Sequence, residues 1–133
     1  LARLAHGSPN IIFTGHVGGR KAIVQLLRDA DVFVLASYRF DNQPIVIPES
    51  LVVGVPILYC DDRLDVGLNQ GNSLLVQPDT ASLAAGMQRI AEPTYHQQLV
   101  DGTKSVLTEL SPQATATAYA QLYQQVIEQY HKR

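Results

Sequence analysis

The sequence is short of several features that would assign it to a class at once. A single cysteine, Cys60, excludes an internal disulfide framework and a multi-cysteine zinc site. No apolar run approaches the roughly 20 residues that a bilayer-spanning helix needs. The first residues lack the charged, apolar and cleavage-site succession of a secretory signal. Charge of either sign is scarce, 17% of residues, against 46% hydrophobic, which excludes a self-repelling disordered segment. The net charge is only −2, so binding to a nucleic-acid backbone through bulk positive charge is excluded, although a local anion site is not. There are no internal repeats and no low-complexity tracts. With 133 residues, the chain is expected to form one domain that hides about two thirds of its surface on folding.

What is present is an alternation of apolar runs and helical patterns. Leu1-Ala-Arg-Leu-Ala-His6 reads as the last turns of a helix stopped by Gly7 and Pro9, so the chain is expected to begin inside an architecture. Asn10–Thr14 is a short apolar run ended by Gly15, which predicts a strand. Lys21–Asp29 carries Ile23, Leu26, Leu27 and then Ala30 at helical spacing. Asp31–Ala36 is continuous and apolar, as in a strand covered on both faces. Pro44–Val53 suits a buried helix ended by Gly54, with Pro48 tolerated because it falls in the first turn. Val55–Tyr59 and Ser73–Val76 complete four predicted strands. Asp79 then caps a helix with Leu83, Met87 and Ile90 on one face. A further helix is expected from Thr94 to about Leu110, weakened by Gly102. Ser111-Pro112 opens the last one, whose Tyr119, Leu122, Val126 and Tyr130 form a stripe expected to pack first and to meet a partner second.

Strands alternating with helices predict a parallel α/β sheet, with ligands beyond the carboxyl ends of the strands. Of the loops there, Ser37–Glu49 is the most informative. It runs from a buried strand into a helix start, where the N–H groups of Ile45, Val46 and Ile47 are expected to be unpaired. Amides and helix dipole together favour an anion such as a diphosphate. Glu49, one turn inside, and Asp41, eight residues earlier, are carboxylates placed to accept hydrogen bonds from sugar hydroxyls.

Asn10–Gly15, Ala30–Ser37, Asp41 with Glu49-Ser50, Gly54-Val-Pro56 and Gly71–Val76 resemble, in order and spacing, the C-terminal domain of the retaining GT-B glycosyltransferases of family GT4, the group 1 domain. The resemblance covers about residues 1–92 as the α/β donor-binding part, with 93–133 as terminal helices of the same fragment. It implies a Rossmann-like parallel sheet with flanking helices, an incomplete C-terminal half of a GT-B enzyme. It further implies hexosyl transfer from a UDP-glucose-like nucleotide diphosphate sugar to a cell-surface polysaccharide, lipid or protein. Glu49 then holds the ribose hydroxyls, and Asp41 is the catalytic-site acid near the reacting carbon. The turn Asn42, Gln43, Pro44, Ile45 and Val46 contacts the diphosphate and sugar, and Gly15, His16 and Val17 lie beside the nucleobase. No metal or other cofactor is implied.

Three departures accompany the resemblance. Asp41 stands where glutamate is usual, shorter by about 1.5 Å of reach. Pro48 replaces an aliphatic residue. The family's first strand and its Arg/Lys pair have no counterpart here, and Arg20, Lys21 and Arg39 do not match that position. The acceptor-binding N-terminal domain is likewise expected as a missing partner, and the fragment alone is expected to be inactive. An unpaired apolar sheet edge then predicts a homodimer. The expected location is the cytoplasm, with peripheral membrane association of the longer enzyme. The alternative is a non-catalytic α/β assembly module derived from a glycosyltransferase.

Other candidates carry less. Asp61-Asp62-Arg63 with Asp65 reads as a solvated loop rather than a cation site, while the resemblance implies that this loop faces the donor sugar with a minor role in substrate binding. Gly18-Gly19-Arg20-Lys21 lacks the spacing of a nucleotide-binding P-loop. Ser37 lacks the glycine-flanked elbow of a hydrolase nucleophile. Cys60 is expected to be buried or half-buried, and His6, His16, His96 and His131 have no partners at metal spacing.

Overall fold

A run of apolar residues with no polar face is stable as a strand only if both sides of the sheet are covered. The residues around Leu58 meet that condition most fully. In a computed structural model describing residues 3–40 and 42–131, the chain forms α1 (Arg20–Arg28), β1 (Phe33–Leu35), α2 (Val46–Val52), β2 (Ile57–Tyr59), β3 (Ser73–Leu75), α3 (Thr80–Ile90), α4 (Pro93–Glu109) and α5 (Pro112–His131). The strands make a parallel sheet in the order β1-β2-β3, with Phe33 opposite Ile57 and Ile57 opposite Ser73. The central strand β2 is buried throughout, whereas β1 is half-buried and Leu75 of β3 is exposed.

Side-chain alternation along the strands divides the core in two. Ile57 and Tyr59 face Ile47 and Leu51 of α2, Val106 of α4, and Leu64 and Leu68 of the loop after β2. Leu58 faces the other way, onto Ile90 of α3 and Leu99 of α4, with Val34 and Leu74 beside it. Ile57 and Leu58 are fully buried, and each such side chain contributes about 1.5–3 kcal/mol relative to exposure.

Helix termini follow the local chemistry. Asp79 accepts from the Ser82 N–H at 2.8 Å, satisfying one orphan donor of α3. Ser111 Oγ accepts from the Ala114 N–H at 3.1 Å and caps α5, ahead of Pro112 at its first position. Pro48 is the third residue of α2, where a missing N–H costs nothing. Gly54, at φ 88°, ends α2. Its N–H donates to Leu51 O at 3.0 Å and that of Val55 to Ser50 O at 3.0 Å, a Schellman closure.

Three expectations require correction. Asn10–Thr14 is not a strand: Ile11, Ile12 and Phe13 are exposed, and the Ile11 N–H donates to Ser8 O in a turn. Extended backbone needs a neighbouring strand, and among the described residues this segment pairs with none. Residues 3–7 form turns rather than a helix end, with His6 and Gly7 both at positive φ, while Leu1 and Ala2 lie outside the described residues. The stripe on α5 is not packed: the helix has no buried residue, and Tyr119, Leu122, Val126 and Tyr130 are all more than half exposed.

Gly102 also has a different role from the one its helix propensity suggests. A Cβ there would lie 1.8 Å from the Gly71 carbonyl oxygen, so its absence lets α4 touch the loop before β3. Gly102→Ala, which stabilises an ordinary helix interior by about 1 kcal/mol, is therefore expected to destabilise this one by about 2–3 kcal/mol in urea unfolding. Gly54→Ala, strained only by its backbone, is expected to cost about 1 kcal/mol. A stabilised Gly102→Ala variant would contradict the contact.

Candidate functional site

The parallel sheet brings the loop 36–45, between β1 and α2, and the loop 60–72, between β2 and β3, to the same carboxyl end. α2 is short, seven residues, and is held from below by buried Ile47, Ser50 and Leu51. Ser50 is fully buried and its hydroxyl donates to Val55 O at 3.0 Å, tying the helix to the start of β2. This anchoring fixes the helix that carries Glu49.

Glu49 is half-buried and lines a groove of about 470 Å³ with Arg20, Ile23, Ile45, Pro48 and Val52. The start of α1 and the start of α2 thus share one opening, with a cation and a carboxylate in its wall. A second opening, about 590 Å³, continues along α1 past Arg20, Lys21, Val24, Gln25 and Arg28. Gly15, His16 and Val17 lead into α1 but line neither opening. Gly15, at φ 66°, and His16 are exposed, and Val17 is half-buried.

Asn42 and Gln43 are exposed, Pro44 is half-buried, and Ile45 already has helical torsions. The three expected free amides reduce to two. The Ile47 N–H donates to Pro44 O at 3.1 Å because a tight turn forms ahead of α2, while Glu49 N–H donates to Ile45 O at 3.2 Å. The N–H groups of Ile45 and Val46 have no protein acceptor among the described residues. Asp41 lies outside the described residues.

The residue missed in the sequence is Asp61. The loop that contains it was expected to be solvated, and Asp62 and Asp65 are indeed exposed, but Asp61 is 1% exposed. Its carboxylate accepts from Arg63 Nε at 2.9 Å, Arg63 Nη2 at 2.6 Å, the Arg63 N–H at 3.2 Å and the Arg39 N–H at 2.6 Å. The Arg63 side chain, the Arg39 and Arg63 amides and the Arg63 charge hold this carboxyl well below the usual carboxylate range, against the opposing effect of burial. Arg39 itself is a left-handed turn at φ 54°, its guanidinium 5.2 Å from the centre of the Tyr38 ring. The signal was available: an acid directly behind a wholly apolar strand, with an arginine two residues on.

The neighbouring polar groups are less reactive than their positions suggest. Cys60 is buried, its Sγ 3.7 Å from Ser37 O and 3.9 Å from Leu35 O, and burial with the Asp61 charge pushes its thiol pKa up, against nucleophilic use. Ser37 Oγ is buried without a hydrogen-bond partner among the described residues. No group of three or more His, Cys, Asp or Glu side chains among the described residues is placed to hold a metal ion. No helix among them is long and apolar enough to cross a membrane.

A further groove of about 390 Å³ lies at the amino end of β1, lined by Asp31, Val32, Val34, Met87, Ile90, Ala91, Pro93 and His96. His96 Nε2 is 2.9 Å from Asp31 O, so the one imidazole there is engaged with backbone. Its apolar walls and its place at the wrong end of the strands make it a poor rival for a polar ligand.

The family described as "Glycosyl transferases group 1" matches residues 1–93. No curated protein sequence matches significantly. Among solved structures, sucrose-phosphate synthase from Thermosynechococcus elongatus superposes with a TM-score of 0.71 at 23% identity, over 96% of this chain and 33% of that one. The chain therefore spans about a third of the length of the structure it matches. The α/β arrangement of parallel sheet and flanking helices is that of a portion of a GT-B glycosyltransferase.

A carboxyl whose folded-state pKa is depressed adds stability that is fully present above its unfolded value, near 3.9, and is lost as pH falls through the folded value. The stability difference between the parent chain and Asp61→Asn is therefore expected to be constant from about pH 8 to pH 5 and to shrink at lower pH. Urea unfolding across that range measures it. A difference that changes mainly between pH 5 and 8 would contradict the assignment.

Proposed function

The chain belongs to the group 1 glycosyl transferases, and on that premise we propose that it is the donor-binding part of a retaining, GT4-type hexosyltransferase. The donor is a nucleotide diphosphate sugar of the UDP-glucose kind, and the acceptor is a cell-surface polysaccharide, lipid or protein. The observation that carries the reading is the family match over 1–93, which spans the whole loop from β1 into α2 together with Glu49. The groove beside Glu49 and the Ile45 and Val46 amides, which have no acceptor among the described residues, are compatible with that chemistry.

In this reading Glu49 accepts hydrogen bonds from the ribose hydroxyls, with α2 fixed beneath it by Ile47, Ser50 and Leu51. The turn Asn42–Val46 meets the diphosphate, the N–H groups of Ile45 and Val46 offering donors to oxygens that gain charge as the sugar leaves. Gly15, His16 and Val17 face the nucleobase, and Asp41 meets the hexose near its reacting carbon. Amides and arginines carry the electrostatic work, and no metal is required. Because one half-site cannot orient an acceptor, the chain alone binds donor without transferring it, and a separate acceptor domain completes the enzyme. The longer enzyme works in the cytoplasm, with peripheral attachment to a membrane.

A second reading, an assembly module derived from such an enzyme, draws support from the edge of β1, which is unpaired among the described residues, and from the exposed Ile11–Phe13 segment. A second copy of the chain is the partner proposed for that edge.

Calorimetric titration with UDP and UDP-glucose tests the first reading. Saturable binding is expected, and Glu49→Ala is expected to weaken it about 10- to 100-fold, the range for a lost hydrogen bond to a charged group. Absence of binding, or binding indifferent to Glu49, would contradict it. Light scattering tests the edge: a concentration-dependent dimer is expected, and a monomer at high concentration would exclude that pairing.

A further inference from the structure

Asp61 is buried at the carboxyl end of β2, outside both apolar clusters. A carboxylate at that depth is strongly unfavourable unless it is paired and hydrogen-bonded, and Asp61 is both. Its partners come from two loops. Arg63 neutralises it from its own loop, with the guanidinium side chain 48% exposed. The Arg39 N–H, 22 positions earlier, approaches from the loop between β1 and α2 at 2.6 Å, the only backbone amide of that loop that a side chain of another loop holds among the described residues.

That contact falls at a special place. Arg39 has a backbone φ of 54°, a left-handed conformation that a residue with a side chain adopts only when its surroundings impose it. The turn decides the direction in which the chain leaves β1 towards α2. The Cys60 thiol, adjacent to Asp61, reaches the Ser37 carbonyl of the same segment at 3.7 Å, so the stitching begins two residues before the turn. From Pro44 onward the path is fixed independently, by the turn and packing of α2. Asp61 therefore governs the stretch between the two anchored ends.

We propose that Asp61 is a positioning residue for donor-sugar recognition: by locking the Arg39 turn, and with its charge balanced by Arg63, it sets the path by which the chain brings Asn42 and Gln43 to the hexose. This rests on the reading that the segment grips a sugar nucleotide. A neutral residue at 61, which lies outside both apolar clusters, releases Arg63 and removes the charge that makes the bond to the Arg39 amide strong. The ribose end, gripped through Glu49 on the separately anchored α2, keeps its geometry.

The test is the ratio of UDP-glucose to UDP affinity, measured by calorimetry on the parent chain, Asp61→Asn, Arg63→Gln, Arg63→Lys and Glu49→Ala. Asp61→Asn is expected to lower the ratio about tenfold, and the Arg39 amide proton is expected to lose its downfield NMR shift. Arg63→Gln, which weakens the same clamp from its exposed side and serves if Asp61→Asn does not fold, is expected to lower the ratio in the same direction, with partial recovery in Arg63→Lys. Glu49→Ala is expected to weaken both ligands together and leave the ratio unchanged. Equal loss of both ligands in Asp61→Asn, or an unchanged ratio in both clamp variants, overturns the positioning role while the site reading stands. Failure of the parent chain to bind either ligand overturns both.

Discussion

β2 has water on neither face, and the rest of the molecule is arranged by that constraint. Ile57 and Tyr59 require α2 and the C-terminal end of α4 on one side, and Leu58 requires α3 and the first half of α4 on the other. Close approach of α3 to β2 and of α4 to the loop before β3 explains two glycines that would otherwise look like defects. A Cβ on Gly86 would meet Leu58 Cδ1 at 2.8 Å, and one on Gly102 would meet the backbone of Gly71. Once the central strand is sealed in this way, its carboxyl end is the place where polar chemistry can collect without disturbing the core. Asp61 stands at that point, the first residue past Cys60 and the buried strand.

The site inherits its order from these anchors. α2 is too short to be stable by itself, since isolated helices below about 12 residues are marginal. It exists because Ile47 and Leu51 are buried and because Ser50 and Gly54 close it against β2. Glu49 is consequently presented from a fixed platform, opposite Arg20 at the start of α1. The loop ahead of it has no such packing, with Phe40, Asn42 and Gln43 all exposed, and it is held instead by the Asp61 contact to Arg39. A rigid helix carrying Glu49 beside a clamped loop is a division suited, in the proposed reading, to gripping an extended ligand in two parts.

Much of this was legible in the residues. The three strands that form, the helix containing Pro48, the Asp79 and Ser111 caps and the stop at Gly54 all depend on short-range rules, and the chain obeys them. The misreadings concern partners that sequence spacing does not contain. Ile11–Phe13 has strand composition, but strand formation needs a neighbour, and none is present among the described residues. The stripe on α5 has the period of a packed helix yet remains exposed for the same reason. The Ile47 amide reads as free from the sequence because the turn that closes it on Pro44 O depends on the loop's path. Asp61 looked like one of several loop acids until the distance to Arg39, remote in sequence, set it apart. Local rules therefore described the platform, while the clamp required the tertiary structure.

The central claim, that a sugar nucleotide sits at the carboxyl end of the sheet against the start of α2, is tested most directly by mapping amide chemical-shift changes in the ¹⁵N-labelled chain as UDP-glucose is added. The largest changes are expected at Ile45, Val46, Glu49 and Arg20, with Arg39 following as its turn responds. Changes centred instead on Asp31, Val32 and His96, at the opposite end of β1, would contradict it.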